Sequence, residues 1–212
     1  AELNQYTNDQ FNSLLSGILS YDRNFSGDHA ITLLAGITKE QGNSNGFFAF
    51  RKYFASTAID QLFAGGSAEK NSGNSPTQTP LWQRARMSYF GRAAYNYKER
   101  YLVEFLGRYD GSYMFPASSR WGFFPGISAG WRISEENFFK KALPVVSNLK
   151  LRASWGQLGN DQVYFNNTLR EYDYLPTYAY GDVVNANWGY VIGNQVAQTL
   201  YENGVPNTSL TW

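Results

Sequence analysis

The chain has 212 residues, with 18 Lys and Arg against 17 Asp and Glu, no cysteine, one histidine, and 6 Trp, 16 Tyr and 15 Phe. A formal net charge of +1 with scattered signs excludes the basic stripe of a nucleic-acid binder, and the missing cysteines exclude a disulfide framework or thiolate metal site. No run approaches the roughly 18 to 20 apolar residues of a spanning helix, and Ala1 to Gln10 lacks the regions of a signal peptide, so any membrane crossing falls to strands.

In chain order, Phe11 to Asp22 and His29 to Lys39 alternate loosely between apolar and polar residues, with a tight turn over Asn24 to Gly27. Glu40 to Gln83 reads as a long excursion in which Phe47 to Phe63 has the spacing of a short amphipathic helix and Gly65 to Pro80 is turn-rich. The next run sets Met87, Tyr89, Gly91, Ala93, Tyr95 and Tyr97 against Arg86, Ser88, Phe90, Arg92, Ala94 and Asn96, with Phe90 the exception. After a tight turn, Tyr101, Val103, Phe105, Gly107 and Tyr109 oppose Leu102, Glu104, Leu106 and Arg108. Trp121 to Arg132 and Leu149 to Gly156 repeat the period of two, because neighbouring strand residues point to opposite faces. Ser134 to Ser147 joins these two runs, with a helical turn expected over Glu135 to Lys141, and Gln157 to Ser209 forms a second long excursion rich in Tyr, Asn and Gly.

Tight turns alternating with long connections are the layout of outer-membrane barrels. A soluble carbohydrate-binding β-sandwich also alternates, so the polar face decides: here it mixes Arg, Ser, Gly, Asn and Glu, as a crowded aqueous lumen does. Tyr95, Tyr97, Tyr101, Tyr109, Trp121 and Trp131 stand near strand ends, where aromatic girdles meet the membrane interfaces. The fold class expected is all-β, part of a large antiparallel transmembrane barrel, with residues 1–212 a single partial barrel domain.

Three blocks carry a resemblance. Phe90 to Tyr101 followed by Arg108-Tyr109-Asp110-Gly111-Ser112 is one, Phe124 to Glu136 is the second, and Asn148 to Asn160 is the third. Together with the closing Pro206 to Trp212 they resemble the SusC/RagA-type, TonB-dependent outer-membrane receptors of Bacteroidota. Met114 and Phe115 depart from the family, and the closing motif has Pro and Asn inverted. The resemblance implies a plugged barrel of about 22 strands, of which this chain supplies about six and a seventh beginning at Leu210. It further implies active import of oligosaccharides or peptides, energised by the TonB complex and assisted by a SusD-like lipoprotein. The plug, TonB-contacting segment and signal peptide then belong to a longer parent. A passive porin is the other membrane alternative.

No catalytic constellation and no cofactor motif are visible. His29 has no nucleophile or ligand set beside it, Asp9, Asp22 and Asp28 lack calcium-loop spacing and read as turn residues, and the adjacent Glu135 and Glu136 diverge rather than act as an acid/base pair. Arg92, Glu104, Arg108 and Arg152 read as lumen-facing charges that pair with one another or with the plug. Tyr172, Tyr174, Tyr178, Tyr180, Trp188 and Tyr190 are the candidate ligand contacts, since aromatic faces stack on sugar rings. Packing of that segment against its neighbours is the alternative for them.

Overall fold

The computed structural model describes residues 1–56, 58–68, 70–73, 79–180, 190–192, 195–197 and 200–212. Its main sheet contains β1 (Glu2–Phe25), β2 (His29–Lys52), β3 (Lys70–Gly73), β4 (Trp82–Tyr97), β5 (Tyr101–Ser112), β6 (Trp121–Arg132) and β7 (Lys150–Gly156). The strand order is β1-β2-β4-β5-β6-β7, with β3 paired to β2. Sequence neighbours are therefore mostly spatial neighbours, the cheapest connectivity for an antiparallel sheet.

The turns explain the strand boundaries. Lys98 and Glu99 have φ of 52° and 55°, and the Arg100 amide donates to the Tyr97 carbonyl at 3.0 Å. Two successive left-handed residues give the twist that a tight hairpin needs. Ser26 and Gly27, at 51° and 74°, do the same between β1 and β2. Adjacent turns are tied together, with the Lys98 amide donating to Asp28 at 2.6 Å and the Arg132 amide to Arg100 at 2.8 Å.

The chain divides into two compact units, residues 1–19 with 35–89 and residues 20–34 with 90–212. In the first, backbone closeness depends on glycine: a Cβ on Gly46 would lie 2.6 Å from Thr79, and one on Gly42 2.4 Å from the Asn12 side chain. In the second, Tyr113, Met114 and Phe115 form a buried core with Val163, Tyr172, Leu210 and Trp212 packed against it. That core lies in the β5–β6 connection and the segment after β7, with Trp212 packed against Phe124 of β6 at a ring-centroid distance of 5.2 Å. Gly159 belongs to the same region, since a Cβ there would stand 2.2 Å from the Phe124 ring.

Several sequence expectations are corrected. Phe47 to Phe63 is not a helix: its first part continues β2, with Phe48 opposite Gly73 and Arg51 opposite Lys70. Among the described residues of that run the helical part is Leu62–Ala64, a 3-10 segment. A short apolar run reads equally well at either period, and strand pairing with Lys70–Gly73 decides it. The excursion is accordingly shorter, residues 53–81. Asp9 and Asp22 lie inside β1 rather than in turns, where Asp22 accepts a 2.6 Å hydrogen bond from Thr32. Leu210 begins no strand; Ser119 Oγ donates to its carbonyl at 2.5 Å, and Trp212 Nε1 donates to Arg120 at 2.8 Å. These contacts dock the segment where a strand would instead need a ladder partner.

The expected helical turn after β6 is present as a 3-10 segment, Ile133–Glu135, and α1 (Asn137–Ala142). The segment after β7 carries β8 (Tyr164–Phe165), β9 (Thr168–Leu169), β10 (Tyr178–Tyr180), β11 (Tyr190–Ile192), β12 (Gln195–Ala197) and β13 (Leu200–Glu202). They pair β8 with β9, β10 with β13 and β11 with β12.

Candidate functional site

The register of β5, β6 and β7 sorts side chains into rows. On the odd-numbered face Tyr101, Trp131 and Leu151 form one row, Val103, Ala129 and Ala153 the next, and Phe105, Ile127 and Trp155 a third. Phe105, Ile127 and Trp155 are exposed at 55%, 41% and 64%. Water does not favour such a row, whereas a hydrocarbon solvent does. Aromatics mark both ends of the face. Tyr101 stacks near Tyr97 with ring centroids 6.4 Å apart, and Tyr109 stacks on Trp121 at 4.9 Å. Tyr101 and Tyr109 are eight residues apart in β5, or ~27 Å along an extended strand, close to the ~25 Å apolar band of a transmembrane barrel.

The even-numbered face is polar. Leu102, Gly130 and Arg152 share a row, and Glu104, Ser128 and Ser154 the next. Arg92 meets Glu104 through two nitrogens on one oxygen, Nε at 2.8 Å and Nη2 at 2.7 Å. Arg108 takes a different partner, Asp110, with Nη2 to Oδ1 at 3.1 Å, and its guanidinium lies 5.9 Å from the Phe90 ring centroid. Phe90, the apolar exception on this face, is thus a platform for a charge. Arg152 shares a hollow with Arg92 and Glu104. Lys150 and Asn96 line the same hollow; both were passed over in the sequence, although their even parity beside Arg152 and Arg92 was signal enough to include them.

The turn end of this unit holds a knot centred on Glu136. Its carboxylate accepts from Tyr101 Oη at 2.6 Å, Trp131 Nε1 at 3.2 Å and Arg100 Nη1 at 3.3 Å. The Tyr101 hydrogen bond, then that of Trp131, holds the carboxyl below the ordinary carboxylate range against partial desolvation. Glu135 turns the other way and pairs with Lys140 at 2.7 Å, which lowers its pKa too. The two glutamates act separately, each fastening one girdle or turn element. His29 sits at the same end, its Nδ1 2.6 Å from Tyr95 Oη and its ring 4.8 Å from that of Tyr97.

The described loop aromatics stand in different surroundings. Tyr172 packs on the buried core, 5.3 Å from the Tyr113 ring and 6.3 Å from that of Tyr174. The Tyr113 hydroxyl hydrogen-bonds Glu171 beside it. Tyr178 is exposed and lies in β10 opposite Glu202. Tyr180 falls at the end of β10 and Tyr190 at the start of β11, and Trp188 lies outside the described residues.

No protein-family model matches the chain. Among curated proteins it is 41% identical over 134 residues to the TonB-dependent receptor SusC of Bacteroides thetaiotaomicron, a match covering 59% of this chain and 12% of that receptor. It is 28% identical over 202 residues to the TonB-dependent receptor P3 of Formosa agariphila, covering 95% of this chain and 18% of that one. The chain thus spans less than a fifth of the length of these relatives. Among solved structures, the RagAB peptide transporter matches 99% of this chain over 21% of its own, at a TM-score of 0.76 and 18% identity. The RagAB peptide importer in its open-open state gives 0.75 and 19%, over all of this chain and 21% of its own. The all-β sheet has the fold of a stretch of those chains, and in sequence the chain is similar to part of the TonB-dependent receptor SusC and its homologues.

Proposed function

We propose that this chain forms part of the wall of an outer-membrane β-barrel that actively imports oligosaccharides or peptides, energised through TonB and working with a SusD-like surface lipoprotein. The observation that carries the reading is the separation of faces in β5, β6 and β7: an exposed apolar face bounded by Tyr101 and Tyr109, backed by a face with Arg92, Glu104, Arg108 and Arg152. A soluble sandwich would bury Phe105, Ile127 and Trp155. A passive porin shares the two faces, and the TonB dependence named for the relatives favours the active reading. The role is transport rather than catalysis. RagAB is named as a peptide transporter, which supports a peptide, while the Tyr-rich segment after β7 supports a stacked sugar ring.

In this reading the tight turns face the periplasm and the long connections the outside, so Tyr178 and its neighbours meet solute first. The test is uptake of labelled oligosaccharide and labelled peptide by cells carrying the intact receptor, with and without TonB. One of the two solutes is expected to accumulate only when TonB is present. Deleting residues 173–190 is expected to lower that uptake while a heat-modifiability gel still shows the folded barrel. Uptake that is indifferent to TonB would replace the importer by a passive pore.

A further inference from the structure

In two successive rows of the even-numbered face β6 contributes only small residues, Gly130 between Leu102 and Arg152 and Ser128 between Glu104 and Ser154. A Cβ on Gly130 would already touch Lys150 at 3.1 Å and Leu102 at 3.6 Å, so glycine is what leaves room. The result is a hollow of about 350 Å³ lined by Asn96, Arg92, Glu104, Ser128, Lys150 and Arg152.

The charges in the hollow do not cancel. Arg92 and Glu104 are spent on each other. Lys150 and Arg152 point into the same space with no acidic partner among the described residues, leaving an excess of two positive charges. The Asn96 side-chain oxygen is buried without a hydrogen-bond partner. Two cations without an acidic partner and an acceptor without a donor are the chemical complement of an anionic group with a hydrogen-bond donor beside it.

We propose that this hollow binds the carboxylate of a solute. Arg152 takes the carboxylate through its planar fork, Lys150 supplies the second charge, and Asn96 receives a hydrogen bond from a hydroxyl or amide N–H next to it. An acidic sugar and an acidic peptide both present this chemistry. As a binding site the hollow stands alone; as a station for transported solute it rests on the importer reading.

The experiment titrates the intact receptor in detergent with α-1,4-digalacturonate and N-acetyl-Glu-Glu amide, and with their uncharged counterparts α-1,4-digalactose and N-acetyl-Gln-Gln amide. One acidic probe is expected to bind at least tenfold more tightly than its neutral counterpart, and which one identifies the source of the carboxylate. Arg152→Ala and Lys150→Ala are each expected to weaken it at least tenfold, and Arg152→Lys to recover part of the loss. Gly130→Leu fills the hollow from a strand position and is expected to abolish binding with the folded gel band intact, while Lys141→Ala, on α1, leaves binding unchanged. Equal binding of acidic and neutral probes, no binding, or equal loss in Lys141→Ala overturns the site. Tight binding that survives in a receptor with no uptake upholds the site and instead counts against the importer reading.

Discussion

Phe115 offers the sharpest test of how the segment after β7 is held. Its side chain is fully buried, at 0% exposure beside Met114 at 2% and Tyr113 at 8%, and its ring lies 5.0 Å from that of Trp212. Cutting a buried Phe to Ala costs about 3 to 5 kcal/mol in lost transfer energy and residual cavity. Taken up as local opening, that is roughly a hundredfold to several thousandfold in the opening equilibrium. The sheet shares little of this loss, because β5 and β6 keep their whole ladder from Tyr101–Trp131 to Gly111–Trp121. Local ties also survive, including Ser112 Oγ to Asp161 at 2.7 Å and Trp212 Nε1 to Arg120 at 2.8 Å. Phe115→Ala is therefore expected to speed amide exchange over residues 112–120 and 159–173 and to leave residues 102–109 protected, with the heat-modifiable folded band unchanged. Unaltered exchange in the two segments would mean that they do not form one cooperative core. Loss of the folded band would mean that the cluster is required for barrel assembly, against the reasoning here.

Three further outcomes follow from local geometry. Glu99 holds φ at 55°, where a side chain costs about 1 kcal/mol; Glu99→Gly is expected to raise the denaturant midpoint for unfolding from bilayers, less the weak 3.4 Å pair with Arg132. Glu136 has its pKa depressed chiefly by Tyr101, so its contribution is present above the ordinary carboxylate pKa and fades as pH falls through the lower folded value; Glu136→Gln is expected to flatten that acid limb in a pH-dependent unfolding series. The Arg92–Glu104 pair is half-exposed, with side chains 45% and 30% accessible, so a double-mutant cycle is expected to give under about 1 kcal/mol of coupling, and a value of several kcal/mol would mean that the pair is shielded from water.

Legibility in the sequence followed the physical contrast between the two faces. Tyr101 to Tyr109 and Trp121 to Arg132 were readable because an apolar solvent on one side and water on the other impose a period of two on every side chain. Glu40 to Asn45, and Glu2 to Gln10 apart from Leu3 and Tyr6, are polar at both parities, yet they lie in β2 and β1. In β2 the faces do differ, since Ser44 is buried and donates a hydrogen bond to the Asn8 side chain at 2.9 Å, but alternation is silent where both faces carry polar residues. The charges Arg92 and Arg152 could be placed on one face from parity alone. The pairing of the charges could not, since Arg92 meets Glu104 on the neighbouring strand whereas Arg108 bonds Asp110 two residues along its own strand. Tyr172 and Tyr178 look alike in sequence; only the three-dimensional packing separates the one against Tyr113 from the one facing outward. Met114 and Phe115, where the sequence departs from the SusC/RagA-type pattern it resembles, are the most buried side chains of the loop core.

The central claim is that odd-numbered positions of β5 meet lipid and even-numbered ones the lumen. Val103 and Leu102 are adjacent in β5, opposite the small residues Ala129 and Gly130, so each site accepts a larger side chain. Val103→Arg is expected to cost roughly 2 to 4 kcal/mol on folding into bilayers, and Leu102→Arg much less. A buried Val103 in a water-soluble protein would give the same order, so the deciding measurement uses light. Val103→Trp and Leu102→Trp are compared in bilayers containing brominated lipid, with the parent's emission subtracted. The account predicts that the added emission at position 103 is quenched and that at position 102 stays bright; equal quenching at the two positions, or none at either, would contradict it.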